Sequence, residues 1–250
     1  MGELHFDFPA DGVVRVIIDN AAKRNALDAE ILEGLAQELP HIDARCVIVT
    51  GAGDAFSAGY DIGDLTPEKL ADVLIHPFEA AMAALDAVPV PVVAAMGGHA
   101  FGGGLELAMA CDLRVCVPGA RLGMPPARLG VVYSESGLRR FVDAIGSART
   151  RELFLTARPV GAEEALAWGL VTEVAEDVEA RSLALAEEIA SLAPLSLRGN
   201  KRVLQALIPP LDEALAAELE ALRREAFQSE DFAEGVRSFI EKRPPRWQGR

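Results

Sequence analysis

Positive charge is scarce in this chain: 24 Lys plus Arg stand against 38 Asp plus Glu in 250 residues. That balance argues against nucleic acid or an anionic membrane surface as the main partner, because both select for basic faces. Cysteine is scarce as well. Cys46, Cys111 and Cys116 are odd in number and lie in apolar runs, which fits buried thiols in a reducing compartment better than disulfides or a metal site. No apolar run approaches the ~20 residues of a membrane span. The first eight residues carry acids where a signal peptide has basic residues before an apolar stretch, and Phe6 stands where myristoylation needs Ser or Thr. A soluble, cytoplasmic protein is expected. His5, His41, His76 and His99 have no ligating partners at useful spacing, so each reads as a satisfied or solvent-facing side chain and no metal is expected.

Three nucleotide and hydrolase signatures are also incomplete. Thr50-Gly-Ala-Gly-Asp-Ala-Phe56 follows an apolar strand as a dinucleotide fingerprint would, but Phe56 takes the place of the third glycine. No glycine cluster ends in the Lys-Ser/Thr of a phosphate-binding loop. Ser57, Ser134 and Ser136 lie outside any Gly-x-Ser-x-Gly elbow.

Half of the residues are apolar, enough for one globular unit with an appended helical segment. Residues 3–8 and 13–19 flank Asp11-Gly12 as a hairpin, Asp28 caps a helix bearing Ile31, Leu32, Leu35 and Leu39, and 45–50 form a buried strand. A helix is expected over 66–87 and a strand over 113–117. Beyond residue 134 the spacing is helical except at Leu170–Val174, with helices over 178–192, 195–207, 211–227 and 229–241.

The organising stretch is 89–112, where an apolar run ending at Met96 meets glycine clusters and then Leu105, Leu107, Ala108 and Cys111 at helical spacing. Strand, glycine loop and helix are expected. Three glycines at a helix mouth allow close approach to backbone N–H groups that favour a developing oxyanion, and Glu106 follows within the first turn. Among apolar neighbours its carboxyl should have a raised pKa suited to acid/base work; the plainer alternative is an acid that complements the helix dipole.

Gly97-Gly-His-Ala-Phe-Gly-Gly-Gly-Leu-Glu-Leu-Ala-Met-Ala-Cys-Asp112 resembles the signature of the crotonase (enoyl-CoA hydratase/isomerase) superfamily. Lys23-Arg-Asn-Ala-Leu27, Thr50–Ile62 and Ser229–Arg243 resemble its early loop, first oxyanion loop and C-terminal helix, in that order. The resemblance implies an α/β fold: a spiral of β-β-α turns over residues 1–190 and a trimerising helical segment over 191–250, giving a homotrimer or a hexamer of two trimers. It implies an acyl-CoA substrate, with coenzyme A part of the substrate and no separate cofactor. Ala58 and Gly103 would supply the oxyanion amides and Glu106 the proton transfer. Lys23, Arg24, Ala58, Asp61 and Ile62 would border the CoA, with Phe239 and Lys242 offered from one face of a neighbouring subunit's last helix.

The chain departs from the hydratase pattern at Pro126, which stands where the second glutamate is expected. Glu135 lies within one position of where family isomerases place their acid; it either projects into the pocket or only caps a helix. Tyr133 resembles the tyrosine of decarboxylating members, although Tyr60 replaces their histidine. Hydration or double-bond isomerisation of an enoyl-CoA is therefore expected, with decarboxylation or acyl-CoA binding without turnover as alternatives.

Overall fold

The computed structural model describes residues 2–61, 67–207 and 211–250, with 67–76 as backbone alone. Alternating Leu4, Phe6 and Phe8 before Asp11-Gly12 and the β-branched run after it make an antiparallel hairpin, β1 (Glu3–Ala10) and β2 (Val13–Asp19). The Asp28 carboxylate accepts the Ile31 N–H at 3.0 Å and starts α1 (Ala29–Glu38), which buries Ile31, Leu32 and Leu35. There follow β3 (Cys46–Gly51), β4 (Ala55–Ser57), α2 (Pro67–Ala87), β5 (Val92–Met96), β6 (His99–Phe101), α3 (Gly103–Ala110), β7 (Leu113–Cys116), β8 (Arg121–Gly123) and α4 (Glu135–Thr156). The chain continues through β9 (Val160–Gly161), α5 (Ala162–Trp168), β10 (Glu173–Val174), α6 (Val178–Ser191), α7 (Pro194–Ala206), α8 (Glu213–Gln228) and α9 (Glu230–Ile240).

Among the described residues these strands form two sheets, ordered β1-β2-β3-β5-β7-β10 and β4-β6-β8-β9, parallel except for β1 with β2 and β8 with β9. Each circuit lays one strand in the larger sheet, the next in the smaller, and returns through a helix. β3, β4, α2, then β5, β6, α3, then β7, β8, α4 are three such β-β-α circuits, the spiral that the family resemblance implied.

Both faces of the larger sheet are covered, which is why Cys46-Val-Ile-Val49 is a continuous apolar run rather than an alternating one. Val47, Val49, Val92, Ala94 and Met96 face the main core; Cys46, Ile48, Val93, Ala95 and Val115 pack with Val178, Ala186 and Ile189 of α6. The three thiols are buried, as their settings suggested. No described helix is long and apolar enough to cross a membrane.

The sequence reading missed the smaller sheet. Its strands are two or three residues long, too short to display alternation, and β6 lies inside what was expected to be a glycine loop. The helical run after residue 134 also breaks at Gly146, whose φ of 71° is left-handed. The trailing helices lie within two residues of expectation. α8 and α9 pack on α2, α8 also touches α4, and Phe227, Phe232 and Val236 are buried there. Lys201 ties α7 to the core through the Asp112 carboxylate at 2.7 Å and the Val90 carbonyl at 2.9 Å.

α3 lies against β4 with no room for a side chain: a Cβ at Gly104 would come within 2.5 Å of the Ser57 carbonyl oxygen and 2.6 Å of the Ser57 Cβ. Alanine ordinarily stabilises a helix interior by up to ~1 kcal/mol over glycine. Here the clash dominates, and Gly104→Ala should destabilise the fold by about 1–3 kcal/mol. The urea unfolding midpoint measures this; a midpoint at or above wild type would mean that the helix moves away from β4 at no cost.

Candidate active site

The site begins where two loops are held together by one buried amide. Asn25, in a left-handed conformation with φ 55°, donates Nδ2 to the carbonyls of Ala52 and Ala55 at 2.7 and 2.8 Å, and its Oδ1 accepts the Asn20 N–H at 3.0 Å. Ser57 Oγ donates to the Asn25 carbonyl at 2.7 Å. These bonds fix residues 57–61 beside residues 24–27.

That alignment decides which amide faces the helix mouth. The Ala58 N–H donates to the Arg24 carbonyl at 2.9 Å, so the expected donor is already used. Leu27 pairs with the chain on either side of Tyr60, its N–H donating to Gly59 O at 2.8 Å and its carbonyl accepting Asp61 N–H at 3.0 Å. Tyr60 therefore directs its own N–H to the opposite side, where α3 begins. The Tyr60 nitrogen lies 3.6 Å from the point a Cβ would occupy at Gly103, and a Cβ at Gly59 would lie 3.3 Å from the Gly103 nitrogen. The Ala58 N–H expected as the first donor is thus engaged by Arg24, and the nitrogen that lies beside Gly103 is that of Tyr60.

Gly102, which precedes α3, has φ 51° and ψ −127°, open only to glycine, and its N–H is held by the Gly123 carbonyl at 2.9 Å. The Gly103 amide is the first of the helix, where no intrahelical acceptor exists. Glu106 follows in the same turn and is 3% exposed. Burial, the largest influence, pushes its carboxyl up to about 7, with Arg140 and then Arg223 pulling it back.

α4 crosses directly over this carboxylate. A Cβ at Gly137 would sit 2.6 Å from Glu106 Oε1. Ser134 caps α4, accepting the Gly137 N–H at 3.1 Å, so Glu135 is the first helical residue and not the cap. Glu135 pairs with Arg139 of its own helix, and both Glu135 and Glu106 line a cavity of about 370 Å³. Tyr133 flanks the same helix mouth, its hydroxyl 3.9 Å from a Cβ placed at Gly102, and burial raises its phenol well above the ordinary value. Pro126 is buried in a short 3₁₀ turn and brings no ionisable group.

Sequence reasoning missed the cations of the cavity. Arg140 of α4 pairs with Asp86 of α2 and places Nη1 3.6 Å from Glu106 Oε1; Arg223 of α8 pairs with Glu79 of α2. Both sit in charge-rich helical stretches that read as solvated faces, so no local signal marks them. His99 is exposed and accepts the Arg121 N–H at 3.1 Å, His5 lies near Glu3 and Asp19, and His41 is exposed. The His76 side chain lies outside the described residues.

Of the expected CoA contacts, Lys23 Nζ bonds Asp61 Oδ2 at 2.7 Å on the rim of the first loop, Arg24 and Ala58 are exposed beside them, and Ile62 falls outside the described residues. Phe239 is exposed on α9. Lys242 does not share its helical face: α9 ends at Ile240, and Lys242 adopts φ 53° in a Schellman closure, its N–H donating to Phe239 O and that of Arg243 to Ser238 O. No glycine marks that stop, so the spacing concealed it.

The enoyl-CoA hydratase/isomerase family model matches residues 9–250. The probable enoyl-CoA hydratase echA6 of Mycobacterium tuberculosis (strain CDC 1551 / Oshkosh) is 37% identical, with 96% of this chain and 97% of that protein covered. The carnitinyl-CoA dehydratase of Escherichia coli (strain K12) is 33% identical, covering 96% of this chain and 97% of that one. Among solved structures, methylmalonyl-CoA decarboxylase in complex with 2-nitronate-propionyl-CoA superposes with a TM-score of 0.89 at 28% identity, over 99% of this chain and 98% of that one. With a family model spanning nearly its whole length and relatives this similar end to end, the chain belongs to the enoyl-CoA hydratase/isomerase family.

Proposed function

We propose that this protein hydrates an enoyl-CoA thioester or shifts its double bond through an enolate held at the mouth of α3. The observation that carries this is the buried Glu106 one turn into a helix whose first amide, Gly103, lies beside the amide of Tyr60. As a proton leaves or joins the α-carbon, charge develops on the thioester oxygen. Two fixed N–H donors there lower the barrier by about 3 kcal/mol each. Glu106, with its carboxyl near neutrality, is matched to exchange that proton at pH 7. Carrying a proton from the α- to the γ-carbon needs only this one group. Adding water needs a second group to activate it; Pro126 cannot serve, and Glu135, at the start of α4, lines the same cavity as Glu106. A protein that only binds acyl-CoA has no need of a buried, nearly neutral carboxylate, which costs stability.

In this reading Lys23, Arg24 and Asp61 border the nucleotide, and the last helix of a neighbouring copy offers Phe239, with Lys242 following its end. A homotrimer, or two trimers paired, is supported by the exposed Leu195, Val203 and Leu204 along α7 and Leu207 at its end. Val203→Asp with Leu204→Asp should reduce the mass found by light scattering from that of a trimer to that of a monomer. A wild-type protein that is monomeric at micromolar concentration would end the assembly reading.

The oxyanion hole is tested by a matched pair. Gly103→Pro deletes the N–H, while Gly103→Ala keeps it and adds the same carbon against the movable Phe78 ring. The proline variant should lose about 10²-fold or more in kcat on crotonyl-CoA or a 3-enoyl-CoA, and the alanine variant far less. Equal losses would assign the effect to packing instead.

Glu106 should give an ascending limb in kcat/KM near pH 7 that Glu106→Gln removes along with about 10²–10⁴-fold of the activity. Full activity in that variant would overturn the mechanism. The sign in stability follows from the same shift: a carboxyl raised from 4.5 to about 7 favours its protonated form in the fold. Wild type should therefore lose stability relative to Glu106→Gln as pH rises from 4.5 to 7, by about 3 kcal/mol at most. Thermal melts of both proteins across that range provide the comparison.

A further inference from the structure

We propose that the acyl group taken by this site carries a carboxylate of its own, recognised by Arg140 and Arg223. The proposal rests on the reading above, in which the acyl group enters the cavity beside Glu106. That cavity is poorly suited to a plain hydrocarbon. Phe78, Met82 and Leu219 give it a limited apolar side, but the remainder holds ionisable groups from α2, α3, α4 and α8.

The depth of those groups decides the sign of the ligand. The acids that pair with the two arginines lie toward solvent, with the Asp86 side chain 49% and the Glu79 side chain 42% exposed, whereas Arg140 is 14% and Arg223 9% exposed. The two acids reach solvent, and the cations lie deeper. Pairing at the rim also leaves donors over. Arg140 Nη1 and Arg223 Nε are buried with no hydrogen-bond partner, and that Nη1 lies 3.6 Å from Glu106 Oε1, beyond hydrogen-bond reach. An aliphatic chain filling the cavity would strip the remaining water from two guanidinium groups and return no acceptor. A carboxylate brings two oxygens whose geometry matches the guanidinium fork. The other carboxylates lining the cavity, Glu79, Asp86, Glu135 and Glu220, have side chains 32–49% exposed, so at depth Arg140 and Arg223 face Glu106 alone. A cationic acyl group would meet these arginines first and is disfavoured.

The proposal is tested by binding, independently of turnover. Calorimetric titration of the wild-type protein with thioesters of matched length compares glutaryl-CoA with pentanoyl-CoA and succinyl-CoA with butyryl-CoA. At least one carboxylated member should bind ten-fold or more tightly than its methyl-ended counterpart. That ratio should collapse toward one in Arg223→Met and Arg140→Met and be partly restored in Arg223→Lys, which keeps the charge without the fork. If the methyl-ended thioesters bind as tightly or more tightly in both pairs, the proposal fails. It also fails if the preference survives in folded methionine variants. Should those variants not fold, the wild-type ratios alone decide. Because the measurement needs no chemistry, loss of the carboxylate preference leaves Glu106 catalysis standing, and inactivity of Glu106 leaves the preference measurable.

Discussion

The first turn of α3 must lie at backbone distance from residues 57–60, and the rest of the molecule is arranged to hold it there. Gly104 leaves no room for a side chain against Ser57, and the Gly103 and Tyr60 nitrogens lie close to one another. Backbone segments brought this close give up side-chain packing between them, so this meeting is unfavourable taken alone. It persists because each partner is fixed from behind. The Tyr60 segment is held by Asn25 and Leu27, and the helix mouth by the Gly102 bond to Gly123 of β8. Non-glycine residues at positive φ, Arg24 and Asn25 at 55°, occur in the loop that provides this support. Local strain carried by a scaffold that over-determines it is what a site awaiting negative charge requires.

The burial around the mouth of α3 also sets the charge state of Glu106. Glu106 is covered by α4 through Gly137 and faces two arginines, so desolvation and cationic attraction act on it in opposite directions. Desolvation prevails, yet the arginines hold the result near neutrality instead of leaving the carboxyl permanently protonated. A group that changes charge near pH 7 can serve as base and then as acid within one turnover. Neither burial alone nor an ion pair alone provides that. Asp86 and Glu79 share in the balance from the rim, because each takes up part of the charge of the arginine it meets.

The larger sheet, its helices and the organising stretch were legible because their patterns are long: Cys46-Val-Ile-Val49 can only be a strand covered on both faces, and Asp28 can cap only one helix. The smaller sheet was not, since strands of two or three residues leave no period to read. The β-β-α circuit repeats in space without repeating in sequence, because its larger-sheet strands begin at residues 46, 92 and 113 and the segments between them differ in length. Long-range charge was likewise hidden. Arg140 and Arg223 are separated by the whole of α5, α6 and α7, and only the packing of α8 on α2 and α4 makes them neighbours of one carboxylate.

The offset of two residues between Ala58 and the amide that lies beside Gly103 shows where a motif stops specifying geometry. In a regular strand Ala58 and Tyr60 would direct their amides to the same side, and either could serve. Gly59 breaks that alternation with φ 94°, a conformation that turns the chain between them. Ala58 is left facing Arg24, while Tyr60 faces Gly103. The glycine is visible in the sequence, but its φ follows from what the neighbouring loop demands, namely that Leu27 bond Gly59 and Asp61 at once. A motif therefore names the loop that provides the amide, and the pairing partner of that loop selects which amide it is.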